Sequence, residues 1–358
     1  MSSLLAFSAG NATDCLPFVA EGHHVGFVRW DVLKTLKDFP NVFTFHSHCV
    51  ELNQNLKTYE ERSWRMAETL EVMRQKYNFP ALRGWRNEVC MGLLAPINFP
   101  IVAVVKNHKL LCLVFSGLFG IRQYGVDING YVNDPDLGFC MWLQQRSFTK
   151  PTWPGRWDSM AAGGLTSGQG ILESVCKEAA EEASIPSHIL NASLRPSGSV
   201  SFFYEDERGL FPQTEFVYDL ELPLDFMPVN ADGEVECFQL FPLHEILEKI
   251  HSSDFKTTSC PVVVDFLVRH GVITSENQPD LPQLVEMLHS PVHVLFDSIS
   301  HGKELQVQVV EENSASLSPS PLVVTTCNST VCCLSLSLSL SILLCVLFHL
   351  GMNICYDG

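Results

Sequence analysis

The sequence predicts an α/β protein, in which a mixed sheet is packed between helices and a smaller α+β domain precedes it. Three observations support this fold class. A helix with an apolar stripe at Trp64, Ala67, Leu70 and Met73 follows a strand-like stretch near the N-terminus. Further along, a glycine-rich turn runs directly into a second helical pattern. Several β-forming runs and a late helix follow that turn, which is the order of elements expected for helices on both faces of a sheet.

In the first domain, the sequence pattern predicts a helix over 29–36, a strand over 42–52 and a helix over 57–77. Proline at position 40 ends the first helix, because proline disfavours helical geometry in the residue before it. In the second domain the predicted elements are a strand over 137–146, a helix over 170–184, strands over 198–204, 214–221 and 235–240, and helices over 242–250 and 260–270.

The composition narrows the functional class. The chain has 358 residues and a formal net charge of −17. This negative net charge argues against a nucleic-acid polymer as partner, because binding to nucleic acid needs a basic patch. The 13 cysteines are scattered without a CxxC pair, so reduced thiols are expected rather than disulfides. The first residues lack the basic region and long apolar core of a secretory signal, and we therefore expect a cytoplasmic location.

The stretch 161–186, AAGGLTSGQGILESVCKEAAEEASIP, places acids directly after a glycine-rich turn. Glu178, Glu181 and Glu182 share one helix face, because residues three and four apart are neighbours there. A hard divalent cation would offset the repulsion between three carboxylates. The alternative is an ordinary solvated acidic face. A P-loop does not fit, since no Lys-Ser or Lys-Thr follows the glycines at the required spacing.

Residues 177–185 resemble the second half of the Nudix hydrolase signature, Arg-Glu-aliphatic-x-Glu-Glu-x-Gly-aliphatic. Three positions depart from it: Lys177 stands for the arginine, Ser184 for the late glycine and Gln169 for an early glutamate. Taking Gly163 as the first signature glycine gives the usual spacing, whereas Gly164 would be one residue too close.

This resemblance implies a Nudix-type α/β/α sandwich and a Mg²⁺ site, with Mn²⁺ as an alternative ion. It also implies one further glutamate from a later loop, for which Glu234 and Glu236 are both candidates. The implied metal ligands are Glu178, Glu181, Glu182 and Gly163. The implied catalytic residues are Glu181, Glu182 and Glu234. The candidates for substrate binding are Lys177, Arg156, Phe202 and Glu236.

The region before the acidic helix resembles thiamin-pyrophosphokinase-related Nudix proteins, through residues 21–123 and the Lys-Pro-x-x-Pro-Gly-x-x-Asp run at 150–158. The resemblance implies a small organic diphosphate as substrate, either an oxidised or damaged thiamin diphosphate or an oxidised nucleoside diphosphate such as 8-oxo-dGDP. The departures at Gln169 and Ser184 leave a second hypothesis open: a Nudix-fold module that has lost turnover and binds a nucleotide or a partner protein.

The expected domain organisation is a leader at 1–20, an α+β domain at 21–125, a Nudix domain at 126–290, a Ser/Pro linker at 291–330 and an apolar tail at 331–358. The uncharged stretch from Val331 to Leu350 is long enough to span a membrane. Its LSLSLSLS alternation is equally typical of low-complexity sequence. We expect membrane association only if this tail is a true anchor, and the oligomeric state stays open.

Overall fold

The structure is a computed structural model, and it describes residues 15–83, 113–165 and 169–297. The elements of the N-terminal part are β1 (Cys15–Ala20), β2 (His23–Arg29), α1 (Trp30–Leu36), β3 (Phe43–Phe45), β4 (Val50–Leu52), α2 (Tyr59–Lys76) and α3 (Pro80–Arg83). The strands form a sheet in the order β2-β1-β4-β3. The two helices predicted here are confirmed.

The predicted strand over 42–52 is two short strands instead of one. Strands β3 and β4 pair antiparallel, and a tight turn joins them. The backbone N–H of His46 donates to the carbonyl of Cys49 at 2.9 Å across this turn. Alternating apolar and polar residues continue through the turn, so the sequence pattern alone did not show the reversal.

Strand β1 lies inside the leader predicted at 1–20. It pairs antiparallel with β2 and parallel with β4. Its Phe18 is fully buried, with its ring centroid 4.8 Å from that of Phe119 and 6.3 Å from that of Phe43. Residues 15–20 are therefore a core strand of the N-terminal domain, which begins earlier than residue 21.

The second part contains the larger sheet. Its elements are α4 (Leu113–Leu118), β5 (Gln123–Asp134), β6 (Gly138–Arg146), β7 (Trp157–Asp158), β8 (Ala161–Gly164), α5 (Ile171–Ala183), α6 (Ser187–Ser193), β9 (Leu194–Asp206), β10 (Gly209–Glu221), β11 (Val235–Pro242), α7 (Leu243–His251), α8 (Cys260–Arg269), α9 (Leu281–Leu288) and α10 (Val294–Asp297). The main strand order is β11-β6-β5-β10-β9, with β7 beside β6 and β8 beside β5. Strands β5 and β10 run parallel and the other pairs run antiparallel, so the predicted mixed sheet is confirmed.

Alternation along the strands directs side chains to both faces of this sheet. Val126 and Val132 of β5 pack in one core with Val175 and Ala179 of α5. The neighbouring Tyr131 packs against a second core that contains residues of α7 and α8. The sheet therefore lies between α5 on one face and α7 and α8 on the other, which is the predicted α/β/α sandwich.

Leu118, Phe119 and Ile121 of the second part pack in the core of the N-terminal part, and the two parts also contact each other through side chains farther along the chain. Arg29 donates to the Glu205 carboxylate and to the Asp206 carbonyl, each at 3.2 Å, at the tip of the β9–β10 hairpin. Phe296 of α10 lies 5.3 Å from the ring of Phe27 and under the guanidinium of Arg122 at 4.8 Å. A fragment that stopped at the predicted boundary of residue 290 would lose the contacts of Phe296.

The predicted tail at 331–358 and most of the linker at 291–330 lie outside the described residues. Within the described ranges, none of the helices combines the length and the apolar content that crossing a membrane requires. The expectation about the tail stays a prediction.

Candidate functional site

The acidic helix α5 is held close to the strand that precedes it. Strand β8 is fixed by antiparallel pairing with β5, in which Gly163 lies opposite Val126. The Glu178 side chain lies directly against Gly163, and a Cβ atom placed on that glycine would lie 2.3 Å from the Glu178 carboxyl carbon. Only glycine permits this approach, which gives a physical reason for taking Gly163 as the signature glycine.

Glu182 is the most buried of the three helix glutamates, with 2% of its surface exposed. Its Oε2 accepts hydrogen bonds from the Ala162 backbone N–H at 2.9 Å and from the Gln144 side-chain amide at 3.1 Å. Burial raises the pKa of Glu182 to about 7, and the charges of Asp158 and Glu178 also favour the neutral form. Strands β6 and β8 therefore fix the orientation of this carboxylate.

Glu178 and Glu181 share one counter-ion on their own helix. The Lys177 ammonium lies 3.0 Å from Glu178 Oε1 and 2.9 Å from Glu181 Oε2. Burial raises the pKa of Glu178, whereas the Glu181 side chain is half exposed. Lys177, which the resemblance places among the substrate-binding residues, braces the acidic face in this conformation.

The helix ends normally although serine replaces the late glycine of the signature. Ser184 adopts the left-handed conformation with φ 53° and ψ 37°, the geometry for which glycine is usually selected. The N–H of Ile185 closes the last turn by donating to the Ala179 carbonyl at 3.0 Å. The departure at position 184 therefore leaves the C-terminal end of the acidic helix intact.

The residues present suit a divalent cation after side-chain rearrangement. As they stand, the described His, Cys, Asp and Glu side chains form no group of three arranged to hold a metal ion. Burial raises the pKa of both Glu178 and Glu182; the Glu181 charge also raises that of Glu178, and the charges of Asp158 and Glu178 also raise that of Glu182. An oxygen-liganded cation would neutralise this charge, and Glu178 and Glu181 would hold it in place of their contacts with Lys177. This chemistry fits Mg²⁺ or Mn²⁺.

The acidic loop between β10 and β11 lies against the C-terminal end of the acidic helix α5. The Ala231 N–H donates to the Glu181 carbonyl at 3.3 Å. Burial raises the pKa of Asp232, and Glu181 is among the charges that act on it. Glu234 forms an ion pair with Lys150, whereas Glu236 is an exposed residue of β11. The structure therefore brings Glu234 into contact with Lys150, a cation beside the acidic helix.

Two of the predicted substrate-binding residues have contacts with other parts of the protein. Phe202 is fully buried in the core between the sheet and α8, which corrects the expectation that it stacks on a ligand. Its strand has apolar residues on the buried face, and the sequence does not distinguish a core aromatic from a ligand platform. The Arg156 guanidinium lies 4.0 Å from the exposed Asp254 carboxylate.

Asp158, the last residue of the Lys-Pro-x-x-Pro-Gly-x-x-Asp run, anchors the sheet to α8. It is fully buried, 3.1 Å from Arg146 and 2.8 Å from Lys256, and it accepts a hydrogen bond from Ser259 at the start of α8. Burial opposes ionisation, but the charges of Lys256 and Arg146 outweigh it and lower the pKa of Asp158 to about 2. This residue of the run is a structural anchor.

A second acidic pair is buried next to Asp158. Asp127 of β5 and Glu215 of β10 are 3% and 5% exposed, and the Ser159 hydroxyl donates to Asp127 at 2.5 Å. Burial raises the pKa of Glu215 to about 7 and that of Asp127 well above its ordinary value. Lys256 is the nearby cation, and it contacts Asp158.

We expect this pair to make stability depend on pH. The pKa of Glu215 is raised from 4.5 to about 7, so its contribution is full below pH 4.5 and is lost as pH rises through 7. Asp158 stays ionised throughout this window. Glu215→Gln should reduce the loss of unfolding free energy between pH 5 and 8 by roughly 1–3 kcal/mol. Urea denaturation in EDTA measures the unfolding free energy at each pH. Equal losses in wild type and Glu215→Gln would contradict the raised pKa assigned to Glu215.

Comparison with known proteins agrees with this geometry. Residues 3–91 match a domain of unknown function (DUF4743), and residues 123–259 match the NUDIX domain. Nudix hydrolase 24, chloroplastic, from Arabidopsis thaliana is 35% identical over 73% of this chain and 69% of its own length. Nudix hydrolase 20, chloroplastic, from the same plant is 34% identical over 73% and 70%. The chain belongs to the Nudix hydrolase family.

Membership of the Nudix family confirms that the chain is an enzyme of the pyrophosphatase type. Members of this family act on small-molecule diphosphates and generally use divalent ions such as Mg²⁺. Among solved structures, the NUDIX domain of Shewanella oneidensis NrtR complexed with ADP ribose is similar, with a TM-score of 0.34 and 16% identity over 43% of this chain and 91% of that one.

Sequence reasoning missed two residues that contact the candidate site residues Glu182 and Glu234. Gln144 lies on the face of β6 that it shares with the buried Trp142, so a polar residue at a core-facing position was the available signal. Lys150 was recognised within its motif but was given no role. Its contact with Glu234 joins positions far apart in the sequence, and no periodicity reveals such a pair.

Proposed function

We propose that this protein is a Mg²⁺-dependent hydrolase of a small organic diphosphate, with Mn²⁺ as an alternative ion. Water attacks phosphorus and the phosphoanhydride bond breaks, giving an organic monophosphate and either inorganic phosphate or a second monophosphate. The observation that carries the proposal is the placement of Glu178 and Glu182, two desolvated carboxylates held against β8, with Glu181 beside them.

Each residue has a proposed task. Glu178, Glu181 and Glu182 would hold the ion, with the Gly163 backbone beside them. When bound, Mg²⁺ supplies a Lewis acid for the phosphoryl oxygens and lowers the pKa of the attacking water. Ala162 and Gln144 donate to Glu182 and keep its carboxylate oriented.

Glu234 is our proposed acceptor for the proton of the attacking water. It lies on the loop that contacts the C-terminal turn of α5 and is 39% exposed, so its carboxylate is accessible. Glu236, the other candidate from the sequence, is an exposed residue of β11.

We propose an oxidised thiamin diphosphate or an oxidised nucleoside diphosphate such as 8-oxo-dGDP as substrate. The support is the resemblance of the N-terminal region and of the 150–158 run to thiamin-pyrophosphokinase-related Nudix proteins. Both substrate classes carry a heteroaromatic ring. Phe148 is 66% exposed on the loop that also carries Lys150 and replaces Phe202 as the proposed aromatic contact.

A panel of diphosphates tests the proposal. The full-length protein is incubated with thiamin diphosphate, its oxidised forms, 8-oxo-dGDP, ADP and ADP-ribose, and phosphorus-containing products are quantified. We expect hydrolysis of at least one compound with Mg²⁺ or Mn²⁺ and none with EDTA. The absence of turnover for every compound with either ion would contradict the proposal.

The second candidate function is a Nudix-fold module that binds without turnover, which the residue at position 169 favours. The Gln169 side-chain oxygen is buried without a hydrogen-bond partner among the described residues. We expect Gln169→Glu to change turnover less than about threefold, because the three carboxylates of α5 already suit one ion. Steady-state rates and Mn²⁺ affinity measure the effect. A gain above about tenfold would show that the natural protein is catalytically weakened.

We also propose a cytoplasmic location without a nucleic-acid polymer as partner. The support is the net charge of −17 and the free thiols of the described residues Cys49, Cys140, Cys176 and Cys237. Fractionation of cells that express the full-length protein tests the location, and recovery in the membrane fraction after alkaline extraction would contradict it.

A further inference from the structure

The loop between β6 and β7, residues 147–156, holds Lys150 beside the acidic site. The base of the loop is closed by two backbone hydrogen bonds, from Arg146 N–H to the Arg156 carbonyl at 2.9 Å and from Gly155 N–H to the Arg146 carbonyl at 3.1 Å. The Lys150 side chain is 11% exposed, and its ammonium pairs with Glu234. A nearly buried lysine is thus held in one place by a closed loop.

The surroundings of Lys150 are acidic on more than one side. Its charge lowers the pKa of Glu178 and Glu182 on α5, and that of Asp232 on the later loop. Lys177, the other cation of the cluster, belongs to α5 itself and contacts Glu178 and Glu181. Within residues 15–83, 113–165 and 169–297, Lys150 is therefore a cation that acts on these carboxylates from outside the helix.

A diphosphate that joins this cluster brings further negative charge. The proposed ion would offset the helix carboxylates, but the phosphate oxygens also need a donor. A lysine ammonium is a compact charge with three donors and is well suited to phosphate. The Glu234 carboxylate pairs with this ammonium in the free protein, so phosphate and Glu234 compete for it.

We propose that Lys150 binds the diphosphate of the substrate and that Glu234 holds it until the substrate arrives. The exchange transfers Lys150 from Glu234 to a phosphate oxygen and leaves the Glu234 carboxylate free to accept the proton of the attacking water. The Ser147 N–H donates to the Glu234 carbonyl at 2.8 Å, which keeps the two loops together during the exchange. This inference rests on the proposed function and adds a substrate-binding residue to it.

Binding of a non-hydrolysable diphosphate tests the exchange separately from turnover. Methylenediphosphonate is titrated into full-length protein at saturating Mg²⁺ in four forms: wild type, Lys150→Met, Glu234→Gln and Lys76→Met. Lys76 is an exposed lysine at the end of α2 and serves as the control for loss of one positive charge. Thermal unfolding of each form verifies that it is folded, and Lys150→Arg retains the charge if Lys150→Met does not fold.

We expect Lys150→Met to weaken binding by about tenfold or more, which corresponds to loss of one charge-assisted hydrogen bond. Glu234→Gln should tighten binding by about twofold or more, because it removes the competing carboxylate. Lys76→Met should bind as wild type does. An ion pair that is only structural would not tighten binding when Glu234 is neutralised.

Unchanged binding by folded Lys150→Met, or weaker binding by Glu234→Gln, would overturn the inference. The predicted pattern of affinities without turnover of any diphosphate would retain Lys150 as the phosphate-binding residue and contradict only the hydrolase proposal. With a turned-over substrate, Lys150→Met should mainly raise KM and Glu234→Gln should mainly lower kcat.

Discussion

Replacing Glu181 or Glu182 by glutamine lowers the turnover of the diphosphate substrate by at least about a hundredfold, a loss of a few kcal/mol of electrostatic stabilisation. Glutamine keeps the size of the side chain but removes the negative charge next to the reacting phosphate. At position 182 the amide still offers an oxygen to Ala162 and Gln144, so the fold should remain intact. Steady-state product release and thermal unfolding measure the two effects.

Glu173→Gln is the matched control for these variants. Glu173 is an exposed carboxylate in the first turn of the same helix, and it accepts a hydrogen bond from Gly170 N–H at 3.3 Å that glutamine can also accept. We expect this variant to retain turnover within about twofold. Near-normal rates for both Glu181→Gln and Glu182→Gln, in preparations free of wild-type enzyme, would contradict the metal assignment.

The second large effect is expected at Gly163. An alanine there would place Cβ 2.3 Å from the carboxyl carbon of Glu178. The Glu178 side chain is flexible enough to move away, so the steric conflict should displace a proposed metal ligand rather than unfold the protein. We expect Gly163→Ala to lower turnover by about tenfold or more, with a change in unfolding free energy below about 2 kcal/mol.

Gly170→Ala is the control for Gly163→Ala. Gly170 has φ −73°, which any residue adopts, and a Cβ added to it would meet nothing within 4 Å. Its turnover should stay within about twofold of wild type. If Gly163→Ala retained full activity at normal Mg²⁺ affinity, the position of Glu178 against β8 would not matter for the reaction.

Local periodicity was sufficient to predict the acidic face of α5. Glu178, Glu181 and Glu182 are separated by three and four residues, so their shared face follows from helix geometry alone. The same reasoning predicted the sheet between two helical layers. The spacing to Gly163 was also readable, because the strand, the turn and the helix are consecutive in the chain.

Contacts between distant segments could not be predicted in this way. Gln144 meets Glu182, and Lys150 meets Glu234, only after the sheet has formed. The assignment of residues 15–20 to a leader failed for the same reason, because β1 is recognisable as a core strand through its partners β2 and β4. The left-handed conformation of Ser184 contradicts the usual preference for glycine and is enforced by the helix end around it.

Titration of Mn²⁺ into the full-length protein at pH 8, monitored by the electron paramagnetic resonance of the free ion, tests the central claim most directly. At this pH Glu182 is ionised, since its pKa is about 7 without a bound ion. We expect wild type and Glu173→Gln to bind Mn²⁺ with equal affinity, and Glu182→Gln to bind it at least about tenfold more weakly, as expected for loss of a charged ligand. Equal affinity of Glu182→Gln and wild type would contradict the assignment of the acidic helix as the metal site.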